Sequence, residues 1–148
     1  MRVTLNTDYS LRVLMYVATK TIGDRGALST IQEIADAFAI SRAHLMKVVH
    51  QLGRLGYVET VRGKGGGMRL ARAPAAINVG EVLRATEDGF QLVDCMGEAE
   101  SDCRIAPACA LKGVLGEATA AFLRTLDRYT LADLLRPRIT KILFAGMR

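Results

Sequence analysis

The sequence predicts a mainly α-helical fold with one small β-hairpin, on three features. Apolar residues recur at three- and four-residue steps through most of the 148 residues, the spacing that lines one face of a helix. Ser, Thr and Asn stand just ahead of several of these runs, where their side chains satisfy the free amide groups of a first helical turn. Two short β-prone runs flank the glycine-rich stretch Arg62-Gly63-Lys64-Gly65-Gly66-Gly67, which reads as a hairpin tip.

Residues 9–20 (YSLRVLMYVATK) are apolar almost all round a helical wheel, as in a helix buried on several sides. Thr7 is the expected N-cap, and Asp8 sits in the first turn, where its charge complements the helix dipole. After a turn at 23–26, Ser29-Thr30-Ile31-Gln32 has the pattern of a capping box. It opens a short helix through Ile31, Ile34, Ala35 and Phe38. Ala39-Ile40 makes a tight connection, and Ser41 caps a third helix. Leu45, Val48, Val49, Leu52 and Leu55 give that helix one buried face. Strands are expected at 57–61 and 68–71, and Pro74 ends the unit. Asn78, with Glu81 three residues on, opens a helix through Val82, Leu83 and Ala85. A loop runs from Glu87 to Pro107. Beyond it a helix of about five turns carries Leu111, Val114, Leu115, Ala118, Phe122 and Leu126 on a stripe. Thr130 restarts a short helix that Pro137 stops, and the basic tail is expected to be less ordered. The expected divisions are 1–76, 77–107, 108–136 and 137–148.

Half of the residues are hydrophobic and Trp is absent, so aliphatic side chains must build the core. No run approaches eighteen apolar residues, which excludes a helical membrane span. The first residues carry no apolar signal region, so a cytoplasmic location with reduced thiols is expected. The net charge of +5 is unevenly spread. Between Ser41 and Arg72 seven basic residues face Glu59 alone, whereas ten acidic and five basic residues lie between Glu81 and Asp133. The first region suits a polyanion.

A helix, two helices joined by a tight turn, then a hairpin with a basic tip is the order of a winged helix-turn-helix DNA-binding domain. The helix opened by Ser41 would enter the major groove. Its outward face offers Arg42, His44, Lys47 and Gln51, side chains suited to base edges and phosphates. Any amphipathic helix has a polar face; the basic wing directly downstream is what points this one to DNA. In the wing Arg62, Lys64 and Arg69 can meet phosphates, and the glycines allow close approach. A P-loop is excluded, because Gly follows the Gly-Lys pair and a strand follows the glycines.

The three cysteines, Cys95, Cys103 and Cys109, fall within fifteen residues in a polar loop. An odd count cannot pair fully within a chain. Three soft donors suit an iron–sulfur cluster or a zinc ion, although the C-x7-C-x5-C spacing lacks the C-x2-C pairs of common zinc fingers. The acidic neighbours Asp94, Glu98, Glu100 and Asp102 disfavour thiolates unless a cation compensates. Buried or redox-active thiols are the rival reading. A thiol-redox enzyme would lack a C-x-x-C pair, so no enzyme is expected. Both histidines, His44 and His50, are on the third helix, so the fourth ligand must be an oxygen donor or a small molecule.

Across residues 1–136 the chain resembles the iron–sulfur winged-helix repressors of the IscR/NsrR family. The resemblance is carried by MRVTLNTDYSLRVLMY, ISRAHLMKVVHQLGRLGYVETVRGKGGGMRLAR, INVGEVLRATE, the cysteines, PACALK and LDRYTLADLL. HLMKVVHQLG and LDRYTLADLL are similar to the nitric-oxide-responsive branch. The resemblance implies a homodimer whose long helix crosses its partner, bound to palindromic double-stranded operator DNA. It also implies a cluster held by Cys95, Cys103 and Cys109, with Asp8 from the partner subunit as fourth ligand, and [4Fe–4S] favoured over [2Fe–2S]. Nitrosylation of the cluster would release the operator. Lys112 stands where IscR-type proteins place a histidine ligand. The seven-residue gap between the first cysteines is shared with iron-responsive relatives, so iron sensing is the alternative signal.

Overall fold

The computed structural model describes residues 2–24, 26–97 and 102–144. Helix α1 spans Leu5–Gly23 and is the central element of the core, with Val13, Leu14 and Val17 fully buried. It starts earlier than the sequence suggested. Thr4 is the N-cap and accepts from the Thr7 N–H, while Thr7 is itself buried and its hydroxyl accepts from that of Thr86 at 2.9 Å. Thr7 is thus a packing residue, because the first turn of α1 lies against a later helix.

Helix α2 (Ile31–Phe38) is opened by a capping box between Thr30 and Glu33, one residue beyond the expected Ser29 and Gln32. Ser29 is needed elsewhere. Its backbone exchanges two hydrogen bonds with Met68, at 2.9 and 2.7 Å, adding a rung to the wing. Gly67 allows that approach, since a Cβ there would lie 2.6 Å from the Ser29 carbonyl oxygen. Ala39 takes a left-handed conformation (φ 53°) and turns the chain into α3 (Arg42–Arg54).

Strands β1 (Val58–Val61) and β2 (Gly67–Leu70) pair antiparallel, with Glu59 opposite Arg69. Of this hairpin Val58 and Met68 reach the core, joining Ile34, Leu45, Val48 and Leu52 from α2 and α3. Fully burying an aliphatic side chain of this size contributes about 1.5–3 kcal/mol. Leu55, expected on the buried face, is 38% exposed, because it caps the helix just where the chain turns into the wing.

The core does not stop at residue 76. Ile77, Val82 of α4 (Val79–Thr86) and Leu131 of α6 (Leu131–Leu134) belong to the same cluster. Between α4 and α6 runs α5 (Ala110–Leu126), which has no buried residue and exposes Leu111 and Val114 at 60% each. Pro137 does not end the ordered chain: it begins α7 (Pro137–Phe144), since a first helical turn needs no amide hydrogen from that position. Phe144 brings this helix back to the core, 5.3 Å from the Tyr16 ring. The part of the tail within the described residues is therefore helical. Among the described residues no helix is long and apolar enough to cross a membrane.

Candidate nucleic-acid interface and cysteine loop

Ser41 ends the turn before α3, and its hydroxyl accepts from the His44 N–H at 3.3 Å. That bond sets where the helix starts and so which residues face outward. Arg42, Ala43, Met46, Lys47, His50 and Arg54 are exposed. Two expected members of this surface are turned aside. His44 is half-buried, its ring edge-on to Tyr9 of α1 with centroids 5.0 Å apart. Gln51, seven residues on and on the same flank, donates to the Ala85 carbonyl of α4 at 3.5 Å. Met46, His50 and Arg54 were missed, although a four-residue step from Arg42 through the sequence finds all three.

The wing tip holds Arg62 and Lys64 in solvent, with Gly63 and Gly65 at positive φ (104° and 75°) forming the turn. Among the described residues Arg42, Lys47, Arg62 and Lys64 form no ion pair. Arg69 differs: its guanidinium meets the Glu59 carboxylate at 3.0 Å across the strand pair. Its charge is already answered within the wing, so it offers less to a polyanion than the sequence suggested. Arg72 is likewise drawn in, 4.5 Å above the Tyr57 ring.

The cysteine loop is anchored at both ends. At its root the Glu87 carboxylate accepts from the Thr4 N–H at 2.8 Å and the Thr4 hydroxyl at 3.1 Å. Asn6 adds a bond to the Thr86 carbonyl at 2.9 Å. The loop therefore starts against the first turn of α1, the turn that carries Asp8. At its other end Cys109 is the N-cap residue of α5, where the helix dipole favours an anionic ligand. Cys95 lies in a single 3₁₀ turn, Asp94–Met96, and Cys103 is exposed. None of the three is buried, which does not suit cysteines that serve only to fill a core.

The Asp8 side chain is 40% exposed and paired with Arg12 of its own helix at 2.9 Å. Among the described residues no three His, Cys, Asp or Glu side chains are close enough to one another to hold a metal ion. Within this chain the structure thus does not gather Asp8 and the cysteines. Glu98, Glu100 and the rest of 98–101 lie outside the described residues. The donors present, three accessible thiols and a carboxylate on another element, have the chemistry of an iron–sulfur ligand set.

A family model described as an iron-dependent transcriptional regulator, Rrf2, matches residues 3–137. The chain belongs to the Rrf2 family. It is 52% identical over 135 residues to the HTH-type transcriptional regulator NsrR of Bacillus licheniformis, covering 91% of this chain and 92% of that one. It is also 52% identical over 136 residues to NsrR of Bacillus subtilis, covering 92% and 91%. A solved structure of T. potens IscR has a TM-score of 0.70 at 27% identity, covering 91% of this chain and 86% of the other. A transcriptional regulator from Listeria innocua has a TM-score of 0.72 at 29% identity, with the same coverages. As an Rrf2 protein the chain is a DNA-binding transcriptional regulator and not an enzyme, and its relationship supports an iron–sulfur cofactor.

Proposed function

We propose that this protein is a cytoplasmic homodimeric repressor that binds a palindromic operator and releases it in response to nitric oxide. An iron–sulfur cluster, [4Fe–4S] in preference to [2Fe–2S], would be held by Cys95, Cys103 and Cys109 with Asp8 of the partner subunit. The relatives named NsrR, at 52% identity over nearly their whole length, support this choice of signal. The observation that carries it is the anchoring of the cysteine loop: Glu87 ties one end to α1, and Cys109 leads directly into α5.

The cluster, when bound, supplies iron with an oxygen-ligated position open to a diatomic ligand. The chain supplies the coupling. Tyr9 follows Asp8 and packs on His44 at the start of α3. A shift of the first turn of α1 is therefore felt at the helix that reads DNA. The exposed apolar stripe of α5 suits a second copy of itself, and a two-fold axis places two α3 helices on two half-sites. Ser41, Arg42 and Lys47 would meet one groove, with Arg62 and Lys64 on its flank.

Anaerobically isolated protein titrated with nitric oxide, with operator binding followed by fluorescence anisotropy, tests this directly. Affinity should fall as the visible absorbance changes. Cys95→Ser, Cys103→Ser and Cys109→Ser should each lose the colour and the response. A colourless protein with unaltered binding would end the reading. The family description as iron-dependent favours a second signal, iron supply; release by chelator but not by nitric oxide would select it.

A further inference from the structure

The outward face of α3 is charged or polar except at one large side chain. Met46 is 58% exposed, with exposed Arg42, Lys47, His50 and Arg54 around it. It borders a groove between α3 and β1 whose walls include Ile31, Val49, His50, Val58 and Thr60. A thioether has no hydrogen to donate and accepts only weakly, so it cannot read the hydrogen-bonding pattern of a base edge. The one apolar feature that a base pair shows in the major groove is the C5-methyl group of thymine. Methionine suits such a contact, being unbranched, polarizable and able to adjust to the groove.

We infer that Met46 is a specificity-determining residue that packs on a thymine methyl group in each half-site of the operator. This rests on α3 lying in the major groove and goes beyond it by assigning a base. Burial of the methyl against the thioether drives the contact; no charge is neutralised, so the salt dependence of binding is the same with or without it.

The binding site can be found by selection. Anaerobically isolated dimer selects its sites from a pool of random duplexes. Each thymine of the selected duplex is then replaced in turn by deoxyuridine, which lacks only the methyl. Wild-type protein should lose about three- to fourfold in affinity at one thymine per half-site, the factor for one buried methyl. Met46→Ala should bind the thymine and uracil duplexes alike, with an unchanged salt slope, and Met46→Leu should restore the discrimination. Equal binding of every uracil duplex by wild-type protein overturns the proposal, as does an undiminished penalty in Met46→Ala. Failure to enrich any sequence would instead overturn the placement of α3 on DNA.

Discussion

Arg62 and Lys64 extend from a turn whose glycines leave the backbone bare, and neither meets a carboxylate among the described residues. Charge in that setting is available to phosphate. Replacing either by Ala should weaken binding to all sequences alike. The slope of log K against log salt should fall by about 0.9 for each phosphate that a subunit no longer neutralises. Arg69→Ala should change the slope less, because Glu59 already neutralises that guanidinium. Salt titrations of the three variants decide between them: equal slopes would show that the cross-strand pair opens on DNA. Asp8 pairs with Arg12 of the same helix. If it ligates iron across the dimer, Asp8→Ala should alter the absorbance of the loaded protein and its rate of reaction with nitric oxide. An unaltered spectrum would leave Asp8 as a helix-start residue alone.

Among the elements, α4 and the end of α5 are held together by one clasp. Arg84 meets Asp127 with two hydrogen bonds, at 2.6 and 2.7 Å. Asn78 donates to the Asp127 carbonyl at 2.7 Å, the Val79 N–H to Tyr129, and the Leu131 N–H to Ile77. Gly80 leaves room for this arrangement, since a Cβ there would run into the Asp127 carboxylate. The segments INVGEVLRATE and LDRYTLADLL, far apart in sequence, are the two halves of the clasp. Gly80→Ala should therefore displace Asp127 and weaken the response of operator binding to nitric oxide more than binding itself. Equal binding and equal response in wild-type and variant would refute that role. On α5, Leu111 and Val114 are exposed, and the proposed dimer would cover them. Leu111→Asp with Val114→Asp should shift sedimentation from dimer to monomer and abolish high-affinity operator binding, and an unshifted dimer would place the interface elsewhere.

For the whole molecule, acid stability follows from the carboxylates that the fold engages. Burial alone would raise the Glu33 pKa, but hydrogen bonds from Lys20 and Thr30 bring it below the usual value. The Arg84 side chain lowers that of Asp127, and the Thr130 N–H lowers that of Asp133. Lowered values in the folded state mean that the unfolded chain binds more protons on acidification. The stability these groups add is complete above the ordinary carboxylate range, near pH 4, and is lost as pH falls through their lower folded values. Thermal melts should then show a steady Tm from pH 7 to about 5 and a steep decline below about 4. A Tm that already fell near pH 6 would point to other groups. Leu131→Ala, which opens a hole in the one shared core, should cost about 2–5 kcal/mol in urea unfolding.

The amino-acid sequence by itself determined the helices as far as α6, the hairpin, the basic wing and the clustered thiols. Each of these is local: a periodicity of three to four residues, a cap directly before a helix, a glycine tip, three cysteines in one loop. Departures from it came where a distant partner competes for a residue that also looks like a cap or a contact. Thr7 and Ser29 left their expected caps for Thr86 and Met68. His44, Gln51 and Arg69 were drawn to Tyr9, Ala85 and Glu59. Only the tertiary structure decided which flank of α3 is left free, and that α4, α6 and α7 close over the winged core. Those outcomes depend on packing between segments tens of residues apart, for which a single sequence carries no local signal.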